Sequence, residues 1–204
     1  ASFSPILADM IDFSNAIYDA DAQLLSQAAN CPIHLAAMKF SAEAIIEKYA
    51  VATMKPEDVY VVNDPYKGGT HINDITFMMP IFFDGAIIGF AVSRGHWMDL
   101  GGGAAGGQAM DGTHIAGEGL RLPPLKIFSE GEVNQDILDI ILNNTRTPHF
   151  VKGDLQAHVG CLKAADTEMK AAAERYGVNV LTIAMKQLQE YTESIVRKGI
   201  LEIP

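Results

Sequence analysis

Two apolar runs joined by Asp84-Gly85 constrain this chain more than any other feature in it. The segments "ITFMMPIFF" and "AIIGFAVS" are of strand length, and Asp-Gly between two such runs is the strongest short-range signal for a β-hairpin. The fold expected around that ribbon is α+β: a mixed or antiparallel sheet built on a central hairpin, with helices packed against it. Pro80 lacks an amide hydrogen, which predicts a bulge or an edge position for the first strand.

The remaining elements follow from periodicity and turn residues. "NAIYDADAQLL" reads as strand, Asp-rich turn and strand, and "VYVVN" as a short strand after a Pro turn. Apolar residues at helical spacing predict a helix over 34–50, a second in "NQDILDIILNNT", and two more over 154–176 and 179–198 with Gly177 as the cap between them. "LPPLKIF" is expected to be extended. Residues 95–120, "GHWMDLGGGAAGGQAMDGTHIAGEGL", are too rich in glycine for a helix and too long for a simple connection, which points to an ordered functional loop. The organisation expected is one domain over 1–204 with a helical C-terminal part over 154–198.

Composition narrows the function. Of the 204 residues, 49% are hydrophobic and 20% charged, as in an ordinary folded domain. A formal net charge of −10 without any cluster of Lys and Arg argues against nucleic acid or an anionic membrane as partner. Cys31 and Cys161 are far apart and form no metal-type pair, and neither has the local signature of a nucleophile. No apolar run has transmembrane length, and "ASFSPILADM" lacks the charged region of a signal peptide, so a cytoplasmic location is expected.

The chemistry-bearing residues gather at the open end of the hairpin. His71 and Asp74 form an H-x2-D pair at the mouth of its first strand, and His96 ends its second. With the reversal at 84–85, a residue near 74 lies opposite one near 95, so the three side chains converge. Two imidazoles and a carboxylate suit one divalent ion (Zn, Mn or Fe) and leave positions for water or substrate. Asp99 stands close enough to orient a ligand imidazole or to bind the ion directly, and Asp99 and Glu118 are the candidate catalytic carboxylates. Gly101, Gly102 and Gly103 allow close approach of backbone to a ligand. "GGGAAGG" lacks the Lys-Ser/Thr ending of a P-loop, so nucleotide binding is not expected there. Arg121, Asn144, Arg146 and Asp154 read as turn, cap or ion-pair residues, Asp154 as an N-cap. His34, His114, His149 and His158 have no carboxylate-rich company in sequence and are given no role.

Taken in order, "DFSNAIYD", "NDPYKGGTHINDI", "GHWMDLGGGAAGG", "EGLRLPP", "NNTRTP" and "GDLQAH" resemble the hydantoinase B family, which includes hydantoinase B subunits, the C-terminal part of 5-oxoprolinase, caprolactamase, and subunits of acetone and acetophenone carboxylases. The resemblance spans about residues 8–176. It implies the metal-bearing half of a hetero-oligomeric, ATP-dependent hydrolase or ketone carboxylase, or a structural subunit of one. ATP would be used on a hydantoinase A-type partner. It places the metal ligands on His71, Asp74 and His96, with Asp12 of "DFS" completing the set. Family members are usually more than twice this long, so residues 1–204 are expected to be an N-terminal portion, a split subunit or a processed fragment. "GGQAMDGTHIAGEGL" departs from the family's more usual run, which bears on substrate choice.

Overall fold

The computed structural model describes residues 3–28, 30–34, 37–107 and 109–203. Its strands are β1 (Phe13–Asp19), β2 (Leu24–Gln27), β3 (Val59–Val62), β4 (Asp74–Phe83), β5 (Ala86–His96), β6 (Leu125–Ser129) and β7 (Glu132–Val133). They form one sheet in the order β2-β1-β5-β4-β3-β6-β7, and every pairing is antiparallel. The fold is α+β. The β4–β5 hairpin lies in the middle of the sheet and turns at Asp84 (φ 48) and Gly85 (φ 79), two left-handed residues that match the right-handed twist of the strands they join.

Among the described residues the helices are α1 (Pro5–Ala8), α2 (Ala37–Lys48), α3 (Gln135–Asn143), α4 (Pro148–Tyr176) and α5 (Val178–Leu201). Alternation along the strands divides the core into two layers. Ile75, Phe77, Met79 and Ile81 of β4 pack with Val151, Leu155 and Leu162 of α4. Met78 of β4, with Val92 and Phe90 of β5, packs on the other face with Met38, Ala42 and Ile45 of α2. Because both faces are covered, the hairpin reads as continuous apolar sequence instead of a hydrophobic–polar alternation.

Some expectations hold in part and others are corrected. Of the bulge or edge expected at Pro80, β4 shows the irregularity and not the edge. Pro80 is tolerated in β4 because the β3 ladder stops at Tyr60–Met78, so no partner on that side asks for the missing N–H, and a register shift follows between Ile81 and Phe82. The helix placed at 34–50 begins at Ala37. His34 instead ends a 3-10 turn (Pro32–His34), and residues 35 and 36 lie outside the described residues. The helix placed at 154–176 starts at Pro148, a proline in the first turn where its missing N–H costs nothing.

Asp154 is therefore no N-cap of α4. It is buried inside that helix and accepts the amides of Phe3 and Ser4 at 2.9 and 3.0 Å, tethering the segment that leads into α1. Gly177 (φ 81) does sit between α4 and α5, its amide closing on Ala173 O. Among the described residues no helix is long and apolar enough to cross a membrane.

Candidate metal centre

Asp74 is the hub of the site. Across the hairpin it pairs in register with His96, and His96 donates its amide to Asp12 O on the neighbouring side, just before β1 begins. Strand geometry thus delivers three of the expected ligands to one end of the sheet. The fourth, His71, comes from the turn before β4. Its Nδ1 accepts the amides of Asn73 and Asp74 (3.1 and 3.2 Å), which hold the ring over the carboxylate. Asp74 Oδ1 then lies 3.6 Å from His71 Nε2 and 3.7 Å from His96 Nδ1, with Asp12 Oδ2 3.8 Å from His96 Nδ1.

The turn itself explains "NDPYKGGTHINDI". Buried Asn63 bonds Ile72 O, Leu120 O and the Leu122 amide, stapling the turn to the strand region beyond it. Asp64 caps the short turn Pro65–Lys67 through the Tyr66 amide. At Gly68 (φ 85) a Cβ would fall on the Phe40 carbonyl, so only glycine lets the chain pass α2 there. Thr70 completes the turn by donating its hydroxyl to Asp74 Oδ2.

Two groups with no assigned sequence role belong to the same constellation. His34, fully buried, presents Nε2 at 3.5 Å from Asp74 Oδ2 and 3.9 Å from Asp12 Oδ1. No local sequence signal marks it, because its carboxylate company is assembled by tertiary structure. Arg94, also fully buried, bonds Thr76 Oγ1 (2.7 Å), Ser41 Oγ (2.7 Å) and Gly68 O (3.3 Å), joining β5 to α2 and to the His71 turn. That one had a signal: Arg94 is two residues from His96 and so shares its strand face.

Electrostatics favour an anionic, cation-accepting cluster. Burial opposes ionisation of Asp74, but His34, Thr70 and His71 outweigh it and hold its carboxyl at about 2. Burial and the neighbouring His71 lower the pKa of His96, against the pull of Asp74 and Asp12, so its ring favours the neutral, ligating form. A tetrahedral ion with bonds of about 2.0–2.1 Å holds its ligand atoms about 3.4 Å apart. The observed 3.6–3.8 Å separations are close to that and too long for hydrogen bonds. With Nδ1 accepting amides, neutral His71 carries its proton on Nε2. Ligation there requires that proton to leave or the half-exposed ring to turn over. The donor set fits a divalent ion.

Asp99 does something other than orient an imidazole. Its buried carboxylate accepts the amides of Gly101, Gly106 and Arg146 and the guanidinium of Arg146 at 2.8 Å. Burial alone would raise its pKa, and those donors outweigh it and hold the carboxyl below the usual range. Arg146 also bonds Gly102 O at 2.6 Å, so Asp99 and Arg146 together knot the glycine loop.

The amides of that loop are turned inward as well. Gly101 N goes to Asp99, Gly103 N to Gly117 O and Gly107 N to Ala104 O, so these N–H groups are not presented to a ligand. Its glycines serve close packing instead, since a Cβ on Gly102 would meet the Glu118 carbonyl carbon at 2.6 Å. The loop still borders the centre, because Asn73, beside Asp74, bonds Gly106 O and Trp97 O. Glu118 closes the short turn Ile115–Gly117 through its backbone, its amide bonding Ile115 O, and is not among the grouped candidate ligands.

The sequence matches hydantoinase B/oxoprolinase over residues 1–204, and the chain belongs to that family. It is 29% identical over 193 residues to the caprolactamase subunit beta of Pseudomonas jessenii, covering 95% of this chain and 33% of that one. It is 34% identical over 204 residues to an uncharacterized protein of Methanocaldococcus jannaschii, covering 99% of this chain and 36% of the other. The chain therefore spans about a third of the length of these curated relatives.

The crystal structure of the ATP-dependent caprolactamase from Pseudomonas jessenii superposes with a TM-score of 0.90 at 28% identity, over 95% of this chain and 33% of that one. A nucleotide-free acetone carboxylase shares the fold, with a TM-score of 0.79 at 21% identity over 87% of this chain and 24% of that one.

Proposed function

We propose that this chain is the metal-bearing portion of an ATP-dependent amidohydrolase of the hydantoinase/oxoprolinase type. Its substrate class is a cyclic amide activated at a partner, a hydantoinase A-type ATP-binding subunit. The observation that carries this reading is the convergence of His71, Asp74 and His96 within 4.8 Å of one another, with Asp12 3.8 Å from His96, at a place where register and turn chemistry hold them. Membership of a family that includes an ATP-dependent caprolactamase supplies the reaction class.

Asp12, His71, Asp74 and His96 would hold the ion, which supplies polarisation of a carbonyl or a water of lowered pKa. The protein's own residues define the approach. Asp74, nearly fully buried, forms the floor, while half-exposed His71 and partly exposed His96 and Asp12 form the open side from which substrate arrives. Thr70 fixes the orientation of the Asp74 carboxylate, and Arg94 anchors the turn that carries His71. The knotted loop 101–107 forms a wall beside Asn73 and limits access of water.

Replacing His71 with Ala should remove the ion held at this position and abolish ATP-dependent lactam opening by the assembled enzyme, with the circular dichroism spectrum unchanged. Full activity in metal-free His71→Ala enzyme would remove the mechanism. The fold shared with acetone carboxylase favours a second reading, ketone carboxylation. Bicarbonate-dependent consumption of a ketone, without lactam opening, would establish it.

A further inference from the structure

We propose a second divalent-cation position next to the first, bound by the Cys31 thiolate and His34 Nε2 and bridged to it by the two carboxylates of Asp12 and Asp74. It shares Asp12 and Asp74 with the first position and so rests on the reading of that site.

The case begins with how the carboxylates are divided. Asp74 Oδ1 faces His71 and His96, and Asp74 Oδ2 faces His34. Asp12 is divided in the same sense, Oδ2 toward His96 and Oδ1 toward His34. Two carboxylates that each send one oxygen to one imidazole set and the other oxygen to a second set have the form of a bridge between two ions, which in two-metal sites stand about 3.5–4 Å apart.

The second, independent observation is His34 itself. It is fully buried, and its Nε2 has no hydrogen-bond partner. The opposite nitrogen, Nδ1, is 3.3 Å from Ser14 Oγ, a contact that leaves the Nε2 lone pair free when Nδ1 donates. That lone pair then points at carboxylate oxygens 3.5 and 3.9 Å away. The spacing is too long for a good hydrogen bond and close to the ligand–ligand edge of a bound ion.

Cys31 completes the group. Its sulfur, His34 and Asp12 offer atoms that all lie within 4.8 Å of one another. Ser14 Oγ, already against His34, also meets Cys31 N and O at 3.4 Å, so one hydroxyl positions both ligands. The two positions differ in chemistry. The first is all nitrogen and oxygen, whereas the second adds a thiolate and so favours Zn²⁺ or Co²⁺ over harder ions. Binding breaks the Cys31 S–H bond, forms a sulfur–metal bond and releases one proton to solvent.

Chelator-stripped protein reloaded with Co²⁺ tests this directly. The expected result is two ions per chain and a thiolate-to-cobalt charge-transfer band in the near ultraviolet. Cys31→Ser should bind one ion without the band, and His71→Ala should lose one ion and keep it. A single ion in the wild type, lost in His71→Ala and retained in Cys31→Ser, with no band, overturns the second position and leaves the first standing. Wild type that binds no ion overturns both. Should Cys31→Ser fail to fold, Cys161→Ser leaves Cys31 as the sole thiol. Its reaction with a disulfide reagent should then slow at least tenfold on adding Co²⁺, and an unchanged rate overturns the proposal.

Discussion

Lowering the pH should destabilise this fold through the buried ring of His158 of α4, among other groups. Its ring is stacked on Phe77 (centroids 5.0 Å apart) with Trp97 alongside, and Gly95 exists opposite it because a Cβ there would come within 2.8 Å of the ring. Nδ1 bonds Ser93 Oγ at 2.7 Å, and Nε2 has no partner. A protonated ring would bury an N–H without an acceptor. Asp154, one turn earlier, favours the charge, but one of its oxygens is committed to the Phe3 and Ser4 amides, and burial wins.

The ring is thereby held down to about 4 from an ordinary 6.5. The folded pKa is the depressed one, so the neutral ring's stabilisation is fully present above about pH 6.5 and is lost as pH falls toward the folded value. Linkage gives a loss of about 2 kcal/mol by pH 5 and about 3 kcal/mol by pH 4. Urea denaturation of wild type and His158→Gln between pH 7.5 and 4.5 isolates this term, since the other titrating groups cancel in the difference. The stability gap between the two proteins should narrow by about 2 kcal/mol on going from pH 7.5 to pH 5. A gap that stays constant would refute the argument, and so would an NMR titration placing His158 near 6.5.

Other perturbations separate structural from site roles. Asp58, fully buried, accepts from Lys126 Nζ at 2.6 Å, from Tyr60 and from the amides of Lys55 and Glu130, so Asp58→Ala should cost about 3 kcal/mol or more in urea titrations. Gly68→Ala forces a Cβ onto the Phe40 carbonyl and should lower Tm far more than Gly85→Ala, where nothing lies within 4 Å and only the left-handed backbone costs about 1 kcal/mol. Arg146→Ala should leave the melting temperature within a few degrees but open residues 101–107 to limited proteolysis, because its guanidinium ties Asp99 to Gly102 O.

The parts of the fold legible in sequence are those where local chemistry and tertiary packing ask for the same thing. Asp84-Gly85 demanded a left-handed turn, and the register it sets brings Asp74 opposite His96 without further information. The start of α4 was hidden because Pro148 and Gly153 look like helix breakers. Pro148 sits in the one turn that accepts it, and Gly153 is required where a Cβ would meet the Phe3 ring. Tertiary packing set the price of those residues, and local propensity misread it.

The site divides along the same line, and the division has a physical meaning. His71, Asp74 and His96 were readable because a strand pair and a three-residue turn position them, and both have fixed geometry. Asp12 was suggested by resemblance alone, yet it follows from the same ladder extended one strand further, since Phe13 pairs with Gly95. His34 could not be read, because it comes from an irregular turn between β2 and α2 and meets its carboxylates only through the packing of that turn on β1. Candidate ligands on the ladder are fixed by backbone hydrogen bonds, whereas those on the turn are fixed by Ser14 and by burial. Loosening the turn should therefore affect the His34 side of the cluster before the His71 side. Ser14→Ala, which removes the hydroxyl shared by His34 and Cys31 and leaves the β1–β5 pairing intact, should weaken only the Co²⁺ ion that carries the thiolate charge-transfer band. Equal weakening of both would show that the cluster responds as one rigid unit.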